Sequence, residues 1–189
     1  MTCGPGLTPM AFDVANPEAI AWAERHAAEL VTDITTEARA AIRAIVSDSF
    51  NSGMAPREQA KLIRATIGLT ERDAGAVMKR QLKDLASGMD SARATKRAEK
   101  YADKLLRSRS KTIARTEAMR ASNEGQAQLW QQARAKGLLA STAMKVWITA
   151  DPCPICAPLE GETVPMDGVF SVGQDPPLHP NCRCTIGLI

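Results

Sequence analysis

The sequence Cys153-Pro-Ile-Cys156, followed by His179-Pro-Asn-Cys182-Arg-Cys184, decides the fold of the C-terminal part of this chain. The two stretches contain four of the five cysteines and one of the two histidines. Two short loops, each offering two ligands separated by two residues, can enclose a tetrahedral zinc ion with thiolate sulfur and imidazole nitrogen. We expect four of these residues to bind zinc, and the spacing favours Cys153, Cys156, His179 and Cys182. Cys184 either replaces one of these ligands or lies beside the site.

Two disulfides and buried free thiols remain as alternatives to a metal site. A redox Cys-x-x-Cys is disfavoured, because Cys156 is followed by the turn signal Ala157-Pro-Leu-Glu-Gly161 rather than by a helix. Residues 1–16 lack the basic start and apolar core of a secretory signal, and no stretch approaches about 18 consecutive apolar residues. We therefore expect a chain that stays in a reducing cytosol, without a membrane segment, where disulfides are rare. Cys3 lies alone in a Gly/Pro-rich tail and has no predicted role.

An enzymatic zinc site is not expected. Pro152-Cys153-x-x-Cys156 is half of the zinc deaminase signature, but the other half, an upstream His-x-Glu, is missing. The upstream histidine is His26, and Ala-Ala follows it. His179-x-Asn181 prompts comparison with treble-clef nucleases of the His-Asn-His type, which need more histidines than this chain contains. With protein ligands in all four positions, the zinc would be structural, and we predict that the protein is not an enzyme.

The composition indicates a mainly α protein: a helical body followed by a small zinc-stapled C-terminal module of α+β or β structure. The chain has 189 residues, of which 44% are hydrophobic and 24% charged, which is typical of one globular domain with a small appendage. Only 4% of the residues are aromatic, whereas alanine is abundant. We therefore expect helices that pack closely through small side chains.

Apolar residues recur at steps of three and four over the first three quarters of the chain, as in amphipathic helices. One long helix is predicted from Pro17 to about Phe50, with Asn16 as its N-cap and Leu30 in its apolar stripe. Further helices are predicted from Pro56 to Gly68, from a Thr70/Asp73 capping box to Gly88, and from Ser91 to about Arg107. Near Ser110 a helix either opens or continues, and it ends at Gly137.

Short strands are predicted after Gly137, from β-branched and aromatic residues at 145–149, 163–165, 169–172 and 184–189. Such a tail buries little apolar surface, so a metal is the expected source of its stability. The domain organisation follows: an N-terminal helical region over residues 1–69 and a second unit over residues 70–189, with the zinc module at about residues 143–189.

Several motifs of the second unit resemble a known family. They are Ile113-Ala-Arg-Thr-Glu117, Asn123-Glu-Gly125, Gly137, Trp147-x-Thr-x-Asp151-x-Cys153-x-x-Cys156-x-x-Leu159-x-Gly161 and Pro177-Leu-His-Pro-Asn-Cys-Arg-Cys-Thr185. In order and spacing they resemble the head morphogenesis domain of tailed bacteriophages, a family that contains the phage Mu protein F-like minor head proteins. The likeness covers roughly residues 70 to 189.

The resemblance implies a minor capsid protein that is made with the portal and acts in procapsid assembly, genome packaging or genome delivery. Its implied partners are the portal protein and the major capsid or scaffold protein. Its implied location is the virion, in the capsid interior or at the portal vertex, and the host cytoplasm during assembly. The resemblance also indicates structural roles for Arg115 and Glu117, as an ion pair that anchors the zinc module to the helices.

Charge is distributed unevenly along the chain. Residues 91–120 contain ten Lys or Arg and three acids, whereas residues 151–189 contain five acids and one Arg. Such a basic helix can bind phosphates non-specifically, and DNA is the polyanion inside a phage head. The nucleic-acid-binding candidates are Arg93, Lys96, Arg97, Lys100, Lys104, Arg107, Arg109 and Lys111. A cellular zinc-containing DNA-binding adaptor and a toxin or nuclease are the alternative functions.

Overall fold

The computed structural model describes residues 17–28 and 31–189, which form a helical body and a small C-terminal sheet. The helices are α1 (Pro17–His26), α2 (Thr36–Ser52), α3 (Pro56–Thr66), α4 (Glu71–Ala86) and α5 (Ser91–Ala135). The strands are β1 (Met144–Ile148), β2 (Thr163–Pro165) and β3 (Thr185–Leu188). The predicted mainly α fold with a small C-terminal strand module is confirmed. The predictions for Cys3, Asn16 and Leu30 concern residues outside the described ranges.

The prediction of one long helix up to Phe50 is wrong, because the chain leaves the helix after His26 and re-enters it at Thr36. Ala28 has a φ of 66°, which an α-helix does not allow. The Arg43 Nε donates to the Ala27 carbonyl at 3.0 Å, and Arg39 donates to the carbonyls of Ala28 and, at 3.2 Å, Val31. These bonds satisfy backbone groups that a continuous helix would have paired internally, and the periodic apolar pattern gave no sign of them.

The predicted ends of α2, α3 and α4 agree with the structure. Gly53 and Gly88 adopt left-handed φ values of 65° and 83° after α2 and α4. The Thr70 hydroxyl accepts a hydrogen bond of 3.1 Å from the Asp73 backbone N–H, as a capping residue does.

The alternatives left open at Ser110 are decided in favour of continuation. α5 is a single helix of 45 residues, about 67 Å long. It begins at the N-cap Asp90, whose carboxylate accepts a hydrogen bond of 3.0 Å from the Arg93 backbone N–H. This helix is central to the fold, because α1, α3, α4 and β3 all pack against it.

The core of the helical body is built largely from small residues, as the alanine content predicted. Ala19, Ala23, Ala114 and Ala121 are fully buried. Helices with such small facing residues approach closely and bury a continuous apolar surface. Larger side chains from α2 and α3, among them Ile42 and Ile63, complete this core.

The C-terminal sheet has the strand order β2-β1-β3 and is antiparallel. In its register, Trp147 of β1 lies opposite Ile186 of β3. Trp147 is fully buried and meets the Phe170 ring edge-on, with 5.1 Å between ring centroids. A second core forms around these rings and the buried cysteines, and it includes Ala127 and Trp130 of α5.

The strand predicted at residues 169–172 is absent from the described structure, where this segment is a loop that leads into a turn. This segment makes hydrogen bonds to a side chain instead of to a neighbouring strand. The Ser171 N–H and hydroxyl donate to the Glu162 carboxylate at 2.6 and 2.8 Å. Phe170 turns into the core, whereas Val169 and Val172 are 61% and 41% exposed. The prediction of a strand from the β-branched and aromatic residues of this segment is therefore wrong. Of these residues, only the aromatic Phe170 is buried in the core.

Candidate metal centre

Two tight turns position the metal-ligand candidates. In the first, the Cys156 backbone N–H donates to the Cys153 carbonyl at 3.0 Å, and a 3-10 turn (Ala157–Leu159) follows. In the second, the Cys182 N–H donates to the His179 carbonyl at 3.1 Å. Both loops therefore place two ligand side chains three positions apart on one turn, which is the repetition that their spacing predicted.

The two turns face each other, and their ligand atoms converge. His179 Nε2 lies 3.2 Å from Cys153 Sγ and 3.2 Å from Cys156 Sγ, and the Sγ atoms of Cys156 and Cys182 are 3.8 Å apart. Ligands at Zn–S and Zn–N bond lengths of about 2.3 and 2.0 Å are separated by about 3.8 Å (S to S) and about 3.5 Å (S to N) at tetrahedral angles. The observed spacings are close to the edges of such a tetrahedron.

All five candidates belong to this cluster, but no four of their ligand atoms all lie within 4.8 Å of one another. Their ligand atoms form two triads, each with all separations within 4.8 Å, and Cys156 is common to both: Cys153, Cys156 and His179 in one, Cys156, Cys182 and Cys184 in the other. The cluster can hold a metal ion. The choice of the fourth ligand between Cys182 and Cys184 remains a prediction.

The alternative of disulfide pairing does not match the geometry. Cys153, Cys156, Cys182 and Cys184 are free thiols, and 3.8 Å between the sulfurs of Cys156 and Cys182 is far above a bonded distance of about 2.05 Å. His179 is oriented for metal binding as well, because its Nδ1 lies 3.0 Å from the Pro180 carbonyl. With the proton on Nδ1 donated to that carbonyl, Nε2 is left free to face the sulfurs.

The protein environment favours a thiolate in each turn. The Cys156 backbone N–H, together with that of Ile155, lowers the pKa of Cys153 to about 7. Burial works against ionisation of Cys182, but the N–H groups of Cys184 and Leu178 lower its pKa overall. Burial raises the pKa of both Cys156 and Cys184. A thiolate is the form of cysteine that binds metal, so Cys153 and Cys182 are the thiols best prepared for it.

The second turn is held on α5 by two threonines to which the sequence motifs assign no role. Asn181, with a left-handed φ of 63°, donates its backbone N–H to Thr116 Oγ1 and its side-chain amide to Thr112 Oγ1, both at 3.0 Å. Thr112 and Thr116 are one helical turn apart, so they form a paired docking point. The spacing of these two threonines by one helical turn was the available signal.

Asn123 lies further along α5 and holds β3 in place. Its side-chain amide donates to the carbonyls of Pro176, at 2.9 Å, and Cys184, at 3.2 Å, and its oxygen accepts from the Thr185 hydroxyl at 2.7 Å. Asn123 is only 2% exposed. Three bonds from one buried amide fix the segment that carries His179, Cys182 and Cys184 against the helical body.

The predicted Arg115–Glu117 ion pair is wrong. Arg115 is exposed and Glu117 is 1% exposed, and residues two apart in a helix project from different faces. Glu117 instead accepts a hydrogen bond of 2.8 Å from the Ala28 backbone N–H, in the turn between α1 and α2. Its structural role therefore lies inside the helical body, away from the metal module.

The structure divides the basic residues of α5 into two groups. Six exposed residues recur at steps of 3, 4, 4, 3 and 4, so they lie within about 80° of one another around the helix axis and extend over about 27 Å. We call them the basic stripe: Arg93, Lys96, Lys100, Lys104, Arg107 and Lys111. Within it, Arg107 is paired with Asp103, which raises the pKa of Arg107.

The other two candidates have intramolecular roles. Arg97 pairs with Asp84 of α4 at 3.4 Å. Arg109 donates to the carbonyls of Gly68, Thr32 and Asp33, at 2.7, 2.5 and 3.3 Å, and so joins two loops to α5. Structural contacts of this kind make Arg109 the least suitable of the eight residues for binding DNA.

The chain thus consists of a helical body that carries a Cys/His-rich module on one long helix. The chain belongs to the family described as phage Mu protein F like protein, whose model matches residues 24–187. This membership agrees with the resemblance found in the motifs and indicates a phage head morphogenesis protein. No curated protein and no solved structure matches the chain. Among the described residues, no helix combines the length and hydropathy that crossing a membrane requires.

Proposed function

We propose that this protein is a minor head protein of a tailed phage that acts in procapsid assembly and genome packaging or delivery, through contacts with the portal and the capsid or scaffold protein. The observation that supports this proposal is the set of contacts made by Asn123. This residue belongs to the motif that resembles the family, and it joins the metal module to α5 by three hydrogen bonds. The most distinctive motifs thus serve to build a rigid shape, as expected of a protein that works by contact.

The metal we assign is zinc, with a structural role and no catalysis. Thiolates and an imidazole suit zinc better than hard cations such as magnesium, which prefer oxygen ligands. Five protein ligand candidates surround the position, so no coordination site needs to be left to water. When bound, zinc would hold the turns at Cys153 and His179 together and stabilise a module with a small core.

Deletion of the gene from its phage, with complementation in trans, tests this function. We expect the deletion phage to make capsid-like particles that package poorly or are not infectious. The chain is expected in purified wild-type heads at low copy number, detected by immunoblotting. A deletion phage of normal yield and infectivity contradicts the assembly role. Hydrolysis of nucleic acid by the pure protein would favour the nuclease alternative, and tight sequence-dependent duplex binding the adaptor.

A second function, non-specific DNA binding, rests on the basic stripe. Six cations on one face over about 27 Å of helix can contact several phosphates of a DNA backbone, although Arg107 is partly neutralised by Asp103. Binding of this kind is weak and sensitive to salt, and each phosphate neutralised adds about 0.9 to the slope of log affinity against log salt.

The test reverses three charges of the stripe, with Lys96→Glu, Lys100→Glu and Lys104→Glu together, leaving Arg97 intact because it pairs with Asp84. The matched control reverses Lys79, Lys83 and Lys136, which are also exposed but lie outside the stripe. In fluorescence anisotropy with duplex DNA, the first variant should lose binding and its salt slope, and the control should keep most of both. Equal losses would show that only net charge matters.

A further inference from the structure

Helix α4 is held to the molecule by one side only. None of its 16 residues is buried, and it packs chiefly on α5. The contacts on that side include polar ones: Gln81 donates to the Thr95 hydroxyl at 3.1 Å, and the Arg80 guanidinium lies 4.9 Å from the centre of the Tyr101 ring. The remaining surface of α4 faces solvent.

That outer surface carries an apolar row. Met78 is 62% exposed, Leu82 is 58% exposed and Leu85 is 39% exposed. Steps of four and three residues place these side chains in line along the helix, at the a and d positions of a heptad. We call this row the α4 seam. Large exposed side chains aligned at coiled-coil spacing can pack against a second helix.

Charge beside the seam indicates which partner fits it. Lys79 is exposed on one flank, at an e position, with Lys83 beside it at a b position further from the seam, and the neutral Gln81 lies on the other flank, at a g position. Antiparallel pairing of two copies would bring the Lys79 and Lys83 flanks together and cause repulsion. Parallel pairing would set Lys79 opposite Gln81 and gain no ion pair. A helix with acidic residues on the facing flank gains both apolar burial and charge attraction.

The width of the seam distinguishes a helix from a lipid surface. Interfacial membrane helices use a broad apolar face, often with Trp or Phe. The α4 seam is a single row of three side chains with no aromatic residue. A row one residue wide matches the narrow contact that a coiled-coil partner makes.

We propose that the α4 seam binds an amphipathic helix of another phage head protein, whose apolar stripe is flanked by Asp or Glu on the side that faces Lys79 and Lys83. This inference rests on the proposed function, because the partner is part of the phage head. It assigns the contact to a particular helix and gives the chemistry of the partner.

The test places a photo-crosslinking amino acid at residue 82 in the complementing copy and irradiates assembled heads. The matched control carries it at residue 138, since Leu138 is 67% exposed and lies beyond α5. We expect residue 82, and not residue 138, to yield an adduct whose partner peptide is an amphipathic helix with an acidic flank. Leu82→Glu should reduce incorporation into heads at least about tenfold, equivalent to about 1.4 kcal/mol, whereas Leu138→Glu should not.

Each other outcome overturns the inference. An adduct with a second copy, with lipid or with a peptide lacking acidic residues shows a different occupant, and heads that contain the chain without an adduct at residue 82 show that the seam is uncovered. Absence of the chain from wild-type heads would refute the proposed function and the inference with it. Folding is controlled by circular dichroism, which Leu82→Glu should leave unchanged because α4 has no buried residue.

Discussion

The Asn123 side-chain amide on α5 donates a hydrogen bond of 3.2 Å to the backbone carbonyl of Cys184, across 61 residues of sequence. A metal-ligand candidate and the longest helix are thus connected through one buried amide. Because the same amide also bonds Pro176 and Thr185, the segment that carries the second turn cannot shift on α5 without breaking three bonds. Assembly of the candidate metal site therefore depends on the helical body.

Asn123→Ala should destabilise the protein by about 2–3 kcal/mol, because it leaves the carbonyls of Pro176 and Cys184 buried without their donor. It should also weaken zinc binding, although Asn123 is not a ligand. Urea unfolding and a zinc-chelator competition measure the two effects. Asn51→Ala, at an exposed position, is the control and should change stability by less than about 0.5 kcal/mol. Unchanged zinc affinity in Asn123→Ala would refute the coupling.

Purified protein should contain about one zinc ion per chain, and single Cys→Ser variants should identify the ligands. We expect Cys153→Ser, Cys156→Ser and Cys182→Ser to lose the metal, and Cys184→Ser to retain it, because spacing and the lowered pKa of the thiol both favour Cys182 over Cys184. Elemental analysis gives the metal content. Retention by Cys182→Ser with loss by Cys184→Ser would reverse this assignment.

Loss of the metal should unfold the C-terminal module while most helical structure persists, because the helical body has its own core. In Cys156→Ser, far-ultraviolet circular dichroism should remain largely helical, whereas limited proteolysis should remove residues beyond about Gly137. Complete loss of helical signal would mean that the two parts unfold as one cooperative unit.

Gly125→Ala should destabilise the helical body by about 1–3 kcal/mol, because an added Cβ would lie 2.7 to 2.9 Å from the Cβ, backbone N and Cα of Ala19 in α1. Gly75→Ala is the matched control on α4. A Cβ there meets nothing within 4 Å, so the better helix propensity of alanine should stabilise the protein by about 0.5–1 kcal/mol. Thermal unfolding of both variants measures the difference, and a neutral Gly125→Ala would show that α1 and α5 separate easily.

Immediately after rapid chelation of the metal, before the C-terminal module unfolds, Cys153 should react with iodoacetamide first. Backbone N–H groups lower its pKa to about 7, so its thiolate, the reactive form, accumulates as the pH rises through 7 and disappears below it. Burial raises the pKa of Cys156, which should stay unmodified over the same range. Mass mapping after short exposures between pH 6 and 8 gives both rates. A Cys153 rate that rises only near pH 9 would contradict the expected stabilisation of its thiolate.

The sequence by itself determined the features that depend on local chemistry. Capping at Thr70, the left-handed glycines 53 and 88, the helical periodicity and the two matching ligand turns all follow from interactions within a few residues. The spacing of Cys153, Cys156, His179 and Cys182 predicted two pairs of ligands, because each turn sets its own pair. The contacts between the two pairs are long-range and depend on the fold.

Tertiary structure decided what depends on groups far apart in the chain. The break between α1 and α2 is held by Glu117, 89 residues from Ala28, so the local apolar pattern predicted one helix where there are two. Likewise, only the fold shows that Arg109 is bonded to three loop carbonyls while Lys100 is exposed. Sequence indicates which groups need a partner, but long-range hydrogen bonds depend on which segments the folded chain brings together.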